Sequence, residues 1–263
     1  MKFCTLFSGS SGNAVYVEYK NTKIIIDSGV SGKNIAASLC ALDVNIKDID
    51  ALLLTHDHVD HARCVGIVSN MANAPVYANY GTWLSVQGFT KTMREENKKT
   101  FQNNQKFEIG DIIVEPFGIS HDATDPVAYN FYLGNEKFTL LTDTGYITAD
   151  ISDKVAGTSA IVLEANHDED MVKTGMYPAF LKRRILGRQG HLSNDLAGRF
   201  LSYLVQNGTK FAYLAHISEE NNTPELAYNT VCDILLKNGI KAGRDVELLT
   251  CSRYETTHLR GLI

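Results

Sequence analysis

The stretch Thr55-His56-Asp57-His58-Val59-Asp60-His61 concentrates three imidazoles and two carboxylates. His56 and His58, two apart on an extended loop, can turn the same way and grip one ion. Asp60 and His61 follow at once and can serve a second ion nearby. Neutral imidazole nitrogen together with carboxylate oxygen suits Zn²⁺ and other first-row metals, whereas Ca²⁺ or Mg²⁺ would want oxygens alone. Zn²⁺, Mn²⁺ and iron share such ligands, so the pattern defines a metal chemistry without naming the ion.

Such a loop works only where the chain holds it still. The apolar run Ala51-Leu52-Leu53-Leu54 directly before it reads as a buried strand, and loops at strand ends are where α/β proteins build their sites. The arrangement recurs along the chain. Asp27 closes the Ile24-Ile25-Ile26 strand, His121 follows Ile112–Gly118, Asp143 follows Lys137–Thr142, and His216 follows Phe211–Ala215. A sheet edge that gathers these positions would form one site. Asp27 reads either as a turn residue or as an anchor behind a metal ligand.

The other elements alternate in the same style. Strands are expected over residues 2–7, Ala14–Glu18 and Val127–Leu133, with Gly110-Asp111 as a hairpin turn and Val246–Thr250 closing the sheet. Helices are expected over Lys33–Leu42, Ala62–Met71, Gly81–Gln87, Ile147–Ala156, Asp195–Val205 and Pro224–Lys237, the fifth capped from Ser193 or Asn194. The Ser8–Asn13 loop is either an anion cradle or a tight turn, and Lys91–Lys99 reads as a solvated excursion. No linker or repeat divides the chain, so 1–263 is expected to be a single α/β domain.

With 44% hydrophobic and 21% charged residues, the 263-residue chain has the make-up of an ordinary globular protein with ample core. The N-terminus lacks the apolar segment of a signal peptide, and no run reaches membrane-spanning length. Cys4, Cys40, Cys64, Cys232 and Cys251 are odd in number and dispersed, which points to reduced thiols in a cytoplasm. A net charge of −5 argues against a generally adhesive polyanion binder but leaves room for a local basic groove. The segment Leu181–Gly190, with Lys182, Arg183, Arg184 and Arg188 running into His191, reads either as such a groove or as a solvated helix face. Arg63, beside the metal loop, belongs either with this cationic set or with the loop itself.

The His-x-His-x-Asp-His pattern, with the earlier Asp27 and the later His121, Asp143 and His216, resembles the metallo-β-lactamase superfamily along most of the chain. That resemblance implies an αββα sandwich, two facing mixed sheets covered by helices. It also implies one metal on His56, His58 and His121, a second on Asp60, His61 and His216, Asp143 bridging them, and Asp27 supporting a ligand. Three further stretches narrow the match: Ser8-Gly9-Ser10-Ser11-Gly12-Asn13, Gly190-His191-Leu192-Ser193-Asn194, and Ala215–Pro224 are similar to the YycJ/WalJ family of hydrolases and 5′→3′ exonucleases. Gly190-His191-Leu192-Ser193 also resembles the His-Ser-Thr loop of tRNA 3′-processing nucleases, with Glu164 at the position of the carboxylate that orients the loop histidine.

The implied chemistry is phosphodiester hydrolysis at two metal ions, with a bridging hydroxide as nucleophile. Asp60 would orient that nucleophile and His191, held by Glu164, would protonate the leaving oxygen. Lys182, Arg183, Arg184, Arg188, Ser193 and Asn194 would contact a nucleic-acid substrate, DNA first, through its backbone. Two other readings compete: a thioesterase or lactonase on the same metals, for which the basic segment is incidental, and a metal-dependent binding module without turnover. No membrane partner is expected, and the apolar helices would permit a homodimer.

Overall fold

The structure is a computed structural model and describes residues 1–257 together with the strand Arg260–Gly261. The chain forms two compact units, one of residues 1–116, 123–127 and the segment from Ser252 onward, the other of Phe117–Asp122 and Ala128–Cys251.

In the first unit, β1 (Lys2–Phe7), β2 (Ala14–Tyr19) and β3 (Thr22–Ile26) form an antiparallel meander. β4 (Ala51–Leu53), β5 (Val76–Asn79) and β6 (Lys98–Phe101) then continue the sheet in parallel, each beside the one before, from β3 outward. On the other side, Arg260–Gly261 pairs antiparallel with β1. Parallel crossovers need covering helices, here α1 (Gly32–Cys40), α2 (Val59–Ala62), α3 (Val65–Ala72) and α4 (Tyr80–Ser85). Ile35 and Leu39 of α1, Val65 and Val68 of α3, and Ile25 and Leu52 of the sheet share one core. A hairpin of β7 (Phe107–Ile109) and β8 (Ile112–Gly118) turns through Gly110 and Asp111 as expected. β6 is a difference: the charged stretch read as a solvated excursion ends in a strand, because pairing with β5 satisfies its backbone while three of its four side chains stay outside the core.

The second unit has strand order β13–β12–β11–β10–β9, built from β9 (Val127–Leu133), β10 (Glu136–Leu141), β11 (Ala160–Glu164), β12 (Phe211–Ala215) and β13 (Glu247–Thr250). β9 and β10 are antiparallel; β10 through β13 are parallel. Helices α5 (Ala149–Val155), α6 (Glu169–Thr174), α7 (Ala179–Ile185), α8 (Asn194–Gln206) and α9 (Pro224–Lys237) make the crossovers. Ser193 is the N-cap of α8, its hydroxyl accepting from the Leu196 amide. Leu201 and Leu204 of α8, Val231 and Leu235 of α9, and Ile161 and Leu163 of β11 form this unit's core. Parallel strands place all their carboxyl ends on one edge, where ligand sites of α/β sheets lie. Asp143, Glu164 and His216 stand at that edge. Among the described residues no helix is long and apolar enough to cross a membrane.

Candidate metal centre

The first unit organises its His-rich turn around Asp27. This residue follows β3 with φ of +61°, a left-handed conformation uncommon outside glycine, which turns its carboxylate away from the strand line. Its Oδ1 accepts from the Thr55 amide at 2.9 Å, and its Oδ2 accepts from the Thr55 hydroxyl and from His61 Nδ1, both at 2.8 Å. Because that hydroxyl donates to Asp27, it can only accept from His56 Nδ1, 2.9 Å away. His56 and His61 thus each carry their proton on Nδ1, which leaves Nε2 as the basic nitrogen. The rings of His56 and His61 lie 4.1 Å apart, and those of His56 and His58 4.7 Å apart. His58 starts α2, so Asp60 and His61 sit in its single turn, with Asp60 Oδ2 3.5 Å from His61 Nε2.

Two segments that sequence reasoning left undecided hold this turn. The Asn13 side chain accepts from the Gly9 amide at 2.8 Å, and its Nδ2 reaches His61 Nε2 at 3.0 Å and Asp60 Oδ2 at 3.3 Å. The Ser8–Asn13 loop is therefore a clamp on the His-rich turn. Ser28 donates its amide to the His61 carbonyl at 2.7 Å, and a Cβ on Gly29 would lie 1.6 Å from the Asp60 carbonyl oxygen. Arg63 donates to the Gly29 carbonyl at 2.6 Å, so its head group braces the same loop.

In the second unit, Asp143 and His216 again follow strands with left-handed φ values of +60° and +55°. Glu164, the last residue of β11 and fully buried, is the hub. Its Oε1 accepts from His191 Nδ1 at 2.8 Å and from His216 Nδ1 at 2.9 Å, while its Oε2 accepts from the Thr144 and Leu192 amides, each at 3.0 Å. Burial alone would raise this carboxyl, but the neighbouring His191 and then His216 outweigh it and hold Glu164 well below the usual carboxylate range. Asp143 Oδ1 lies 3.2 Å from His216 Nδ1. His121 donates Nδ1–H to the Gly190 carbonyl at 3.0 Å, and its ring is 5.0 Å from that of His191. Ligand atoms of Asp143, Glu164, His191 and His216 fall within 4.8 Å of one another.

Four imidazoles, His56, His61, His121 and His216, thus have Nδ1 fixed by an oxygen acceptor, which is the tautomer an Nε2 metal ligand needs. The donor set fits a borderline divalent metal and not an oxygen-only ion.

Other expected contacts are rearranged. Ser193 and Asn194 are turned inward: Ser193 caps α8, and the Asn194 and Asn222 side-chain amides exchange hydrogen bonds of 3.0 and 2.8 Å. With exposures of 2% and 1%, neither side chain offers a surface to a substrate. Lys182 donates Nζ to the Lys173 carbonyl at 2.8 Å and does not join the arginines. Arg184 is ion-paired with Asp122.

Two mixed sheets whose strand ends present imidazoles and carboxylates define a metallo-β-lactamase-fold hydrolase. The Bacillus subtilis metallo-β-lactamase-fold protein YhfI, 15% identical, shares the fold with a TM-score of 0.71 over 98% of this chain and 99% of its own. The model of the β-lactamase superfamily domain matches residues 22–217. The exodeoxyribonuclease YycJ of Bacillus anthracis is 38% identical over 94% of both chains, and the exodeoxyribonuclease WalJ of Streptococcus pneumoniae 36% identical over 98% of this chain and 97% of its own. The chain belongs to this YycJ/WalJ family of the β-lactamase superfamily.

Proposed function

We propose that the chain is a metal-dependent exodeoxyribonuclease working 5′→3′, with two divalent ions, Zn²⁺ or Mn²⁺, on His56, His58, Asp60, His61, His121, Asp143 and His216. Bound there, the ions would act as Lewis acids on the phosphodiester and acidify the attacking water. Asp60, steadied by the Asn13 amide at 3.3 Å, orients that water. The observation that carries the reading is the 2.8 Å pair of His191 and Glu164. Glu164 accepts Nδ1–H and supports the imidazolium, so the partly exposed His191 ring, once it also carries a proton on Nε2, hands that second proton to the leaving 3′-oxygen; such groups contribute roughly 10²–10⁴ in rate. A thioesterase or lactonase has no comparable need for a proton donor backed by a buried carboxylate next to a cationic pocket.

The test is incubation of metal-loaded protein with end-labelled DNA and RNA, 5′-phosphorylated or not, beside an Asp60→Ala His61→Ala control. Release of nucleotides from the 5′ end of DNA by the parent protein alone is expected. No cleavage with Zn²⁺, Mn²⁺ or Fe²⁺, together with turnover of a thioester or lactone, would overturn the proposal.

A further inference from the structure

The arginines before His191 line a cavity of about 560 Å³ with Ser120, Asp122 and Tyr146, all within the second unit. Its floor is tightly built. Gly145 donates its amide to the Ser120 carbonyl at 2.8 Å, and the Ser120 hydroxyl donates to the Arg188 carbonyl at 2.9 Å. A Cβ on Gly145 would lie 2.1 Å from that same carbonyl, so the Tyr146 turn lies directly against the Arg188 backbone. The Arg188 guanidinium stands 4.7 Å over the Tyr146 ring. Arg184 engages Asp122 through Nε and Nη2, which neutralises the carboxylate among the lining residues. The Arg183 guanidinium makes no hydrogen bond or ion pair among the described residues. In a chain of net charge −5, this is a local excess of positive charge. Ser120 and Asp122 flank His121 in sequence, and Gln189 on the cavity wall is two residues from His191.

Cavities of roughly 300–1,000 Å³ accommodate small organic ligands. A guanidinium stacked on a ring presents a flat cationic surface of the sort on which unpaired bases stack, and an uncommitted guanidinium fork suits a phosphate. A fully paired duplex would keep its bases from such a surface.

We infer that this cavity is a nucleotide subsite that takes one unpaired nucleotide of a DNA strand, its base on the Tyr146–Arg188 stack and its phosphate at Arg183. The inference rests on the nuclease reading and adds to it that the nucleotide entering the cavity is unpaired.

The experiment uses metal-loaded protein and a 5′-phosphorylated single-stranded oligonucleotide with phosphorothioate linkages that slow cleavage. 2-Aminopurine is moved one position at a time from the 5′ end, and its fluorescence reports stacking. The parent should quench it strongly at one position. Arg188→Lys, which keeps the charge and loses the plane, and Tyr146→Leu should abolish that quench and weaken binding roughly 5- to 150-fold. Tyr146→Phe keeps the ring and should retain the quench, which separates loss of stacking from a folding defect. Arg183→Ala should lower the slope of log affinity against log salt by about one. Equal quenching at every position, or parental quenching and affinity in Arg188→Lys and Tyr146→Leu while the parent still degrades natural DNA, overturns the subsite alone. A parent that neither binds nor degrades DNA overturns the nuclease reading and the subsite with it.

Discussion

Replacing Glu164 with Gln tests the hub with almost no change in shape. The carboxylate accepts four hydrogen bonds, two imidazole Nδ1–H on Oε1 and two backbone N–H on Oε2. An amide has one carbonyl oxygen, so either orientation puts its NH₂ against two donors. With the oxygen toward the imidazoles, the buried Thr144 and Leu192 amides lose their acceptor. With the oxygen toward those amides, His191 and His216 must move their protons to Nε2, the wrong tautomer for an Nε2 metal ligand, and His191 loses the carboxylate that supports its imidazolium. Each unmatched buried donor costs about 1–3 kcal/mol, so Glu164→Gln should lose about 2–6 kcal/mol of stability. Metal affinity should fall roughly 10- to 100-fold, as is usual when a group behind a ligand is removed. Urea unfolding of the chelator-treated protein measures the first quantity and Zn²⁺ competition with a chromophoric chelator the second. A variant that unfolds at the parental urea concentration and binds Zn²⁺ as tightly as the parent would refute the argument, because two of the four bonds cannot be lost from a hub without effect.

Two further outcomes follow from the clamp and from a buried histidine. Gly29→Ala puts a methyl group 1.6 Å from the Asp60 carbonyl oxygen, a backbone atom that no side-chain rotation can move. It should cost at least the roughly 1–3 kcal/mol typical of overpacking, or about 2–12 °C in Tm for a chain of this size; an unchanged melting curve would show that the loop is not seated as described. His167 is buried and its Nδ1 has no hydrogen-bond partner among the described residues. Burial pushes this imidazole down to about 4, against a weaker upward pull from Glu164. Its depressed value means that the unfolded chain binds the extra proton first. Stability is therefore complete above pH about 6.5 and falls as the pH drops toward 4, by up to about 3 kcal/mol. His167→Gln should flatten the pH dependence of urea unfolding across that window, and a slope identical to the parent's would contradict it.

What the sequence by itself determined is the kind of chemistry and the places where it is mounted. Asp27, His56, His121, Asp143 and His216 each follow an apolar strand, and the period-two pattern of a strand and the polar residue that ends it are local features. The hairpin at Gly110 and a cap at Ser193 or Asn194 were legible for the same reason, and the structure selects Ser193. Tertiary structure decided the partners. Glu164 serves His191 and His216 together because residues 27 and 52 positions further along the chain return to the end of β11, and nothing in local spacing encodes that return. The Asn13 clamp, 47 residues from Asp60, is equally non-local. Tertiary structure also sorted the basic segment. Neighbouring residues on a helix project roughly 100° apart, so Lys182 meets the Lys173 carbonyl while Arg183 and Arg184 line the cavity with Tyr146. The charges were countable in the sequence; the face each one occupies was set only by the packing of α7.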